Sequence, residues 1–445
     1  MNISNWGKYP VVDSNVLCFR ADNEIKAVTA TSHSLIARGM GRCYGDSALN
    51  ENMIASTERF NHLLSFNEKT GELICESGVT LEDILSVFVP RGWFLPVTPG
   101  TKFVSVGGAI GADVHGKNHH ESGSFCRHVN WMDVLTADGS VVRCSPDENE
   151  DLFFGVSGGL GMLGIVLRAS FNLVHISSAY IKQETVKAVN LKEIMEDFET
   201  YDEREFSVAW IDCLKGGDSL GRSVLMRGAF ASADELSKKQ KQELLSVPKK
   251  RKLNIPLNFP SIALNPLSVR AFNALYYGKA PNEHTESIVD YDSFFYPLDA
   301  VYNWNRIYGK RGFTQYQFVL PKESSFEGLT KILSKISASG QGSFLAVLKL
   351  FGKADKGTLS FPREGYTLAL DFPITESLFP LFNELDAMVL DYGGCHYLTK
   401  DARLSRDVFD KGYGKAADSF RELKAKWDPA NKFSSLQSSR LGFGD

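Results

Sequence analysis

Apolar residues recur along the chain with two different periods, and these periods predict both helices and strands. A helix is predicted over residues 80–93, where apolar residues recur every three to four positions. Its apolar face is formed by Leu81, Ile84, Leu85 and Phe88. Thr80 is the predicted N-cap, with Asp83 completing a capping box, and Pro90 and Gly92 end the helix. A weaker pattern predicts a short helix over residues 22–33, with Asp22 as its N-cap.

In the first 178 residues, short apolar runs alternate with glycine-rich stretches. The runs at residues 34–38, 71–79 and 164–173 predict strands, and residues 129–144 predict a hairpin that turns at Asp138-Gly139. Residues 96–120 contain five glycines and have almost no helical or strand period. They are therefore interpreted as a long functional loop.

After about residue 178 glycine becomes rarer, and strand-like runs alternate with helical ones. Strands are predicted at 206–214, 313–321, 343–352 and 366–374, and helices at 326–340 and 379–394. This pattern is typical of an α+β domain with a mainly antiparallel sheet. Residues 238–268 are basic, then apolar and interrupted by proline, which predicts a mobile surface loop.

Three segments follow from this organisation. We expect a cofactor-binding domain at 1–178, a substrate-binding domain at 179–394, and a C-terminal segment at 395–445 that returns to the first domain. The third segment is again rich in loops and carries side chains that can take part in chemistry.

Composition narrows the class of protein. With 43% hydrophobic and 23% charged residues the chain resembles a soluble globular protein, and its net charge of −4 argues against nucleic acid as a partner. Seven cysteines without a C-x-x-C pair argue against disulfides and zinc, and favour a cytoplasmic location. No signal peptide and no run of about 20 apolar residues is visible.

Two glycine-rich stretches have the character of phosphate-binding loops. "ARGMGRCYGDSALN" (residues 37–50) offers consecutive backbone N–H groups with little Cβ obstruction, which suits an anion. A single loop of this kind is more often only a turn. "SVGGAIGADVHG" (residues 105–116) repeats the design, and two such loops indicate a ligand with an extended phosphate body, such as a dinucleotide.

Three histidines fall within residues 115–120 and raise the question of a metal site. His115 and His119 have the H-x-x-x-H spacing, but Gly116 makes a shared helix improbable and the glutamate of zinc proteases is missing. A metal is therefore disfavoured. His115 is interpreted as a cofactor contact and Lys117 as facing a substrate anion, whereas an exposed polar loop is the alternative for His119 and His120.

Four motifs together resemble the FAD-binding (PCMH-type) fold of the vanillyl-alcohol oxidase superfamily: "RGMGRCYGDSALN", "TPGTKFVSVGGAIGADVHGKNHH", "SGGLGMLGIV" and "DPANKFSS". The resemblance implies a two-domain α+β fold in which the glycine loops hold the pyrophosphate of FAD. It implies cofactor contacts from these residues: Arg38, Gly39, Met40, Gly41, Arg42, Cys43, Tyr44, Gly100, Ser105, Val106, Gly107, Gly108, Ala112, His115, Ile165, Val166 and Tyr397.

Further motifs, among them "HGKNHHESGSF", "YPLDAVYNWNRIYG" and "YLTKDAR", resemble the flavoprotein subunits of decaprenylphosphoryl-β-D-ribose 2′-epimerases. That family oxidises the ribose 2′-hydroxyl of a polyprenyl-phosphate sugar to a ketone, and a partner NAD(P)H-dependent keto-reductase returns it with inverted stereochemistry, in the supply of arabinose for cell walls. The resemblance implies that Lys400 and His115 are catalytic. It implies substrate contacts from Lys117, Trp210, Tyr296, Gln315, Gln317, Lys349 and Lys400.

The residues depart from related families at three places. Arg42-Cys43 stands where relatives with covalent flavin carry a histidine, which favours non-covalent FAD. "HYLTK" at 396–400 replaces the histidine-tryptophan-x-lysine motif of sugar-lactone and alditol oxidases, which favours the epimerase type. Ala369 replaces a family cysteine, so inhibitors that attack that thiol are not expected to act here.

Alternatives remain open at this stage. An oxidase of a soluble sugar, sugar lactone or alditol that uses oxygen is the second hypothesis, and a non-catalytic flavin-binding protein is the third. Residues 238–268 predict either a flap that touches the inner membrane face or a disordered loop with no role. In the first case Lys249, Lys250, Arg251 and Lys252 would meet anionic lipids. The acyl boundary would be touched by Leu253, Ile255, Leu257, Phe259, Ile262 and Leu264.

Overall fold

The computed structural model describes residues 1–200, 204–247, 252–260 and 264–444, and within them an α+β fold. The strands, numbered along the chain, are β1 (Asn2–Ile3), β2 (Val12–Asp13), β3 (Asn15–Cys18), β4 (Ile36–Arg38), β5 (Met53–Ser56), β6 (Leu63–Phe66), β7 (Glu72–Glu76), β8 (Trp93–Phe94), β9 (Val129–Leu135), β10 (Val141–Cys144), β11 (Ile165–Asn172), β12 (Val174–His175), β13 (Tyr180–Ala188), β14 (Phe206–Ile211), β15 (Ser223–Phe230), β16 (Leu253–Asn254), β17 (Thr285–Asp290), β18 (Val301–Tyr302), β19 (Phe313–Pro321), β20 (Ala346–Phe351), β21 (Gly365–Pro373) and β22 (Cys395–His396). The α-helices are α1 (Asp22–Thr31), α2 (Leu81–Phe88), α3 (Val106–Gly111), α4 (His119–Ser122), α5 (Glu150–Val156), α6 (Leu191–Glu199), α7 (Lys238–Lys241), α8 (Pro266–Lys279), α9 (Tyr291–Phe295), α10 (Lys322–Ser339), α11 (Leu378–Asp391), α12 (Arg406–Tyr413), α13 (Lys415–Trp427) and α14 (Leu436–Arg440).

In the first part of the chain, a three-stranded and a five-stranded sheet lie around the glycine loops, beside the strand pairs β1-β2 and β8-β12. The parallel sheet has the order β3-β5-β4, and the antiparallel sheet has the order β10-β9-β11-β7-β6. The predicted strands and the hairpin at Asp138-Gly139 are confirmed. The first glycine loop starts directly where β4 ends, so the edge of the parallel sheet fixes its position.

The N-caps of two helices show where the local sequence pattern predicts a cap correctly and where a distant residue binds the predicted capping side chain instead. The predicted helix after Thr80 is confirmed as α2, and Thr80 and Asp83 form the capping box. The prediction that Asp22 caps α1 is wrong, because Ala21 occupies the N-cap position without a side-chain hydrogen bond. The Asp22 carboxylate instead pairs with Arg168 at 2.7 Å, a partner on β11 that no local pattern could reveal.

Residues 96–120 are not a continuous loop, which corrects the sequence interpretation. They contain α3 and the start of α4. The Ser105 side chain caps α3 by accepting from the Gly108 N–H. Glycine is needed within α3 because a Cβ at Gly107 would lie 2.9 Å from the Ser77 Cβ. The glycines that hide the helical period therefore allow the helix to pack closely on the strand below it.

The second part of the chain forms the predicted antiparallel sheet, in the order β17-β13-β15-β14-β20-β21-β19-β22. Successive side chains of a strand point to opposite faces. One face packs on α6, α10 and α11 through a continuous apolar core. The other face carries Trp210, Gln317, Val347 and Ala369, which the pairing register places in one row across four strands. This second face borders a cavity.

The segment at 238–268 is only partly irregular. It includes α7, and β16 pairs in parallel with β18. The helix α8 begins at the end of this segment, where Pro266 occupies the first turn, in which a missing N–H is tolerated, and Asn265 caps the helix. Lys249, Lys250, Arg251 and Ile262 lie outside the described residues.

The C-terminal segment contacts both parts of the chain. Its strand β22 pairs with β19 in the large sheet, and Phe433 bridges to Leu35 beside the parallel sheet. Arg440 pairs with Asp46, which lies within the first glycine loop, at 2.7 Å. The domain limits at 178 and 394 remain predictions. Within the described ranges, no helix is long and apolar enough to cross a membrane.

Candidate active site

A cavity of about 400 Å³ lies between the glycine loops and the face of the large sheet that carries Trp210, Gln317, Val347 and Ala369. Most of the residues predicted to contact the cofactor line it. They are Gly39, Met40, Gly41, Arg42, Cys43, Tyr44, Gly100, Ser105, Gly107, Gly108, Ala112, His115, Val166 and Tyr397. Residues from five separate stretches of the chain thus meet around one space.

The first glycine loop has the properties of a pyrophosphate cradle. Among the described residues, no protein acceptor takes the backbone N–H groups of Gly39, Met40, Gly41 or Arg42. Gly41 has a φ of +60°, and a Cβ at Gly39 would lie 2.1 Å from the Ser105 Oγ. The loop therefore leaves donors free for an anion and tolerates no side chain at Gly39, which fits a closely held phosphate group.

Three predicted cofactor residues do not line the cavity. Arg38 donates through Nη2 to the Ser4 carbonyl at 2.9 Å, and its guanidinium lies beside Gly41. Val106 and Ile165 are buried in the apolar core, and the Val106 N–H is bonded to the Val79 carbonyl. These three residues support the loops from behind, and a direct cofactor contact remains a prediction for them.

The substrate residues predicted from the sequence converge on the opposite wall. Lys117, Trp210, Gln315, Gln317, Lys349 and Lys400 all line the cavity. Tyr296 does not, because its hydroxyl is hydrogen-bonded at 2.6 Å to Thr98, which lines the cavity itself. Tyr296 therefore lies one layer behind the wall.

Three lysines give the cavity its electrostatic character. Burial lowers the pKa of Lys117 to about 7 and that of Lys349 to about 8, and it lowers the pKa of Lys400 to about 8 although Asp371 nearby favours its charged form. The Lys117 ammonium donates to the Phe294 carbonyl. In the part of the chain that the structure describes, neither Lys349 nor Lys400 forms a hydrogen bond or ion pair with a protein group.

Lys400 lies directly above an aromatic ring and close to a buried acid. Its Nζ is 3.9 Å from the centroid of the Tyr44 ring. Asp371 accepts from the Gln315 amide at 2.5 Å and lies within 3.5 Å of the Tyr308 hydroxyl, and burial raises its pKa to about 7. Sequence reasoning missed Asp371. The signal was present, since "LALDFP" places a carboxylate inside an apolar strand, as "FLAVLKLFG" does for Lys349.

His115 is held neutral inside an aromatic cage. Its ring lies 4.7 Å from the Phe351 ring and 5.1 Å from the Tyr397 ring, and its Nε2 is 3.2 Å from the Gln317 amide nitrogen. Burial, together with Lys349, His119 and Lys400, holds the pKa of His115 well below its ordinary value. His115 can therefore orient Gln317 by accepting from its amide.

His119 is buried, which contradicts the alternative of an exposed loop at this residue. Its Nδ1 accepts from the Gly352 N–H at 3.2 Å, and its ring packs on Phe351. His115 lies outside the short helix that starts at His119, so the two rings do not share a helical face. Among the described residues, no group of three histidine, cysteine or acidic side chains could hold a metal ion.

Comparison with known proteins connects this geometry to a cofactor. The sequence profile of the FAD binding domain matches residues 21–145, which include both glycine loops. The backbone N–H groups at residues 39–42, which no described protein acceptor takes, and the close Gly39–Ser105 approach suit the pyrophosphate of FAD.

Two of the relatives are similar to this chain over most of its length. Decaprenylphosphoryl-beta-D-ribose oxidase of Mycolicibacterium smegmatis is 35% identical over 99% of this chain and 97% of its own length. An uncharacterized protein of Streptomyces coelicolor is 31% identical over 82% of this chain and all of its own length. The human Delta(24)-sterol reductase is 29% identical, but over only 40% of this chain and 33% of its own.

Proposed function

Because the chain belongs to the family of flavoprotein oxidases that includes decaprenylphosphoryl-β-D-ribose oxidase, we propose that it oxidises the ribose 2′-hydroxyl of a polyprenyl-phosphoryl-β-D-ribose to the 2′-keto sugar. The chain is an FAD-dependent oxidoreductase. The substrate is the part that we propose, and the arguments for it come from the cavity wall opposite the glycine loops.

One observation supports this substrate above all others: Lys349 faces the cavity and, among the described residues, forms no hydrogen bond or ion pair with a protein group. An ammonium group that is buried without a counter-charge is costly, so its retention indicates a ligand that supplies the charge. The phosphodiester-like group of a lipid-linked sugar supplies it. A neutral sugar, lactone or alditol would leave the Lys349 ammonium without a counter-charge.

Different residues of the chain would bind the cofactor and the substrate. Residues 39–44 and the start of α3 would hold the FAD pyrophosphate through backbone N–H groups. The chemistry that bound FAD supplies is acceptance of a hydride from a carbinol carbon. Lys117 and Lys349 would fix the phosphate, and Gln317, held by His115 and Thr367, would orient the sugar.

The hydroxyl proton needs an acceptor on the protein, and Lys400 is placed for it. With a pKa of about 8, roughly a tenth of Lys400 is neutral at pH 7 and can take a proton at Nζ. As the hydride leaves the carbon, the O–H bond breaks and its electrons form the carbonyl. The resulting ammonium is stabilised by the Tyr44 ring and by Asp371.

The oxidation is half of an epimerisation. The 2′-keto sugar retains its lipid phosphate, and return of a hydride to the opposite face would invert the 2′ carbon. We assign that step to a partner keto-reductase that uses NAD(P)H. The enzyme would meet its substrate at the inner face of the membrane.

Anaerobic titration of the FAD-loaded protein tests the substrate. Farnesyl-phosphoryl-β-D-ribose should bleach the flavin absorbance, whereas ribose and ribitol at the same concentration should leave it unchanged. Lys349→Met should raise the concentration needed for half-maximal bleaching more than tenfold, because one phosphate contact is lost. Bleaching by ribitol together with oxygen consumption would instead support a soluble-alditol oxidase and contradict the proposal.

A further inference from the structure

The helix α8 exposes large apolar side chains instead of burying them. Leu267 is 77% exposed and Leu275 is 67% exposed, and Phe272 and Tyr276 are partly exposed, at 42% and 38%. The buried residues of this 14-residue helix are only Val269 and Asn273. A monomeric soluble protein rarely leaves such a contiguous apolar face uncovered, so the helix is built to meet another apolar phase.

The charged residues of α8 indicate that this apolar environment is a lipid surface. The helix carries Arg270 and Lys279, and its sequence contains no acidic residue, although the whole chain has a net charge of −4. A basic and apolar helix face suits an anionic lipid surface, where cations meet head groups and leucine and aromatic side chains enter the acyl boundary.

The helix is fixed to the body of the protein at the edge of the cavity. The Asn273 amide donates to Asp212 at 2.8 Å, and the Tyr277 hydroxyl donates to the Ala188 carbonyl at 3.2 Å. The Tyr276 ring lies 4.6 Å from the Trp210 ring, and both rings line the cavity. The exposed apolar face is therefore continuous with the cavity wall.

We propose that α8 docks the protein on the surface of an anionic bilayer, with Leu267, Phe272 and Leu275 inserted at the head-group boundary and the cavity opening beside it. A helix of this length lies on a bilayer and does not span it. Docking would let a sugar phosphate enter past Trp210 and Tyr276 while its polyprenyl tail stays among the lipids. The position of the tail rests on the proposed function, whereas binding of α8 to a bilayer does not.

Vesicle flotation tests the docking surface. The FAD-loaded protein should float with vesicles of phosphatidylcholine and phosphatidylglycerol in about equal amounts, and much less with phosphatidylcholine alone. The double variant Leu267→Glu/Leu275→Glu should lower the bound fraction about tenfold or more, because two inserted leucines are replaced by anions. The matched control is Val189→Glu/Phe326→Glu, whose side chains are 56% and 49% exposed elsewhere, and it should float like the unaltered protein.

Measurements on the unaltered protein keep the proposal falsifiable if the variant does not fold. Amide hydrogen exchange with and without anionic vesicles should show new protection at residues 266–279. Equal flotation of both double variants, absence of flotation, or protection only outside α8 would overturn the proposal. So would a vesicle-independent dimer that the α8 variant alone dissociates, since the face would then serve a second copy.

Substrates with polyprenyl chains of different length distinguish a failure of this proposal from a failure of the proposed function. The α8 variant should reduce its flavin normally with soluble farnesyl-phosphoryl-ribose, and more slowly than the unaltered protein only with a long-chain substrate in vesicles. Failure of every polyprenyl-phosphoryl ribose to reduce the flavin, with flotation intact, would contradict the substrate and leave the docking surface standing.

Discussion

At the scale of single residues, the cavity depends on lysine side chains whose ammonium groups line it. Protein surrounds the ammonium groups of Lys349 and Lys400, yet neither forms a hydrogen bond or ion pair with a described protein group. Each such group lowers the stability of the protein without its ligand and contributes to binding once the ligand arrives. Substitutions of these lysines should therefore affect stability and activity in opposite directions.

Lys400→Ala tests the proposed base. FAD should remain bound, because the glycine loops are untouched, while the rate of flavin reduction should fall by roughly 10²- to 10⁴-fold, the usual scale for a general base. Stopped-flow absorbance under anaerobic conditions measures that rate. For the unaltered protein the rate should rise with pH and level off above about pH 8, as Lys400 loses its proton. A rate that is flat with pH, or near-normal in the variant, would remove Lys400 from the mechanism.

Lys349→Met should stabilise the substrate-free protein at neutral pH while it weakens substrate binding. The folded-state pKa of about 8 is below the ordinary 10.5, so the unfolded state binds more protons between these pH values and stability rises with pH there. Below pH 8 the full penalty is present, and the variant should gain about 1–3 kcal/mol. Urea unfolding at pH 7 and pH 10 measures it. A gain that grows with pH would contradict the assignment.

Residues of the first glycine loop also predict whether FAD is bound covalently. Arg42-Cys43 replaces the histidine of covalent relatives, and the Arg42 guanidinium lies over the Trp6 ring at 4.2 Å. Burial raises the pKa of the Cys43 thiol, which keeps it protonated and a poor nucleophile. Acid precipitation should therefore release FAD into the supernatant. Yellow colour that stays with the denatured chain would show a covalent bond.

At the scale of elements, the close approach of the first glycine loop to α3 determines the shape of the cofactor site. Gly39→Ala would place a Cβ 2.1 Å from the Ser105 Oγ, so the loop or the helix start must move. We expect FAD affinity to fall about tenfold or more, with little change in the rest of the fold. Fluorescence of FAD released on dilution measures this.

A control for Gly39→Ala comes from a glycine in an open position. At Gly216 the nearest atom to an added Cβ is the Ser337 Oγ at 3.6 Å, an ordinary contact, so Gly216→Ala should bind FAD normally. Equal affinity of the two variants would show that the approach of loop and helix does not control the cofactor site.

At the scale of the whole molecule, one ion-pair cluster ties the C-terminal end to the first glycine loop. Arg440 on α14 pairs with Asp46 and with Asp401, at 2.7 Å and 2.9 Å, and both carboxylates are nearly inaccessible. Arg440→Met should destabilise the protein by about 3–5 kcal/mol, because two buried carboxylates lose their cation. Lys426→Met breaks an exposed pair with Asp151 and should cost at most about 1 kcal/mol. Similar urea midpoints for the two variants would contradict the prediction.

Prediction from the sequence succeeded where a feature is local. The capping box at Thr80 and the hairpin at Asp138-Gly139 depend on residues within one turn of each other, and the structure has both. It failed where a distant partner competes for a side chain, as Arg168 does for Asp22, or where packing requires glycine within a helix, as in α3. The periodicity of neighbouring residues carries no information about contacts with residues that are distant in the sequence.

By itself, the sequence determined the glycine loops, the alternation along the strands and the apolar strand that carries Lys349, because each is a constraint on neighbouring residues. Only the tertiary structure decided that Lys117, Lys349 and Lys400 face one cavity and that Asp371 lies near Lys400. Those positions follow from the register of β19, β20 and β21 and from closure of the sheet over the loops. The physical reason is that side chains far apart in sequence meet only after strand pairing and core packing have fixed the backbone between them.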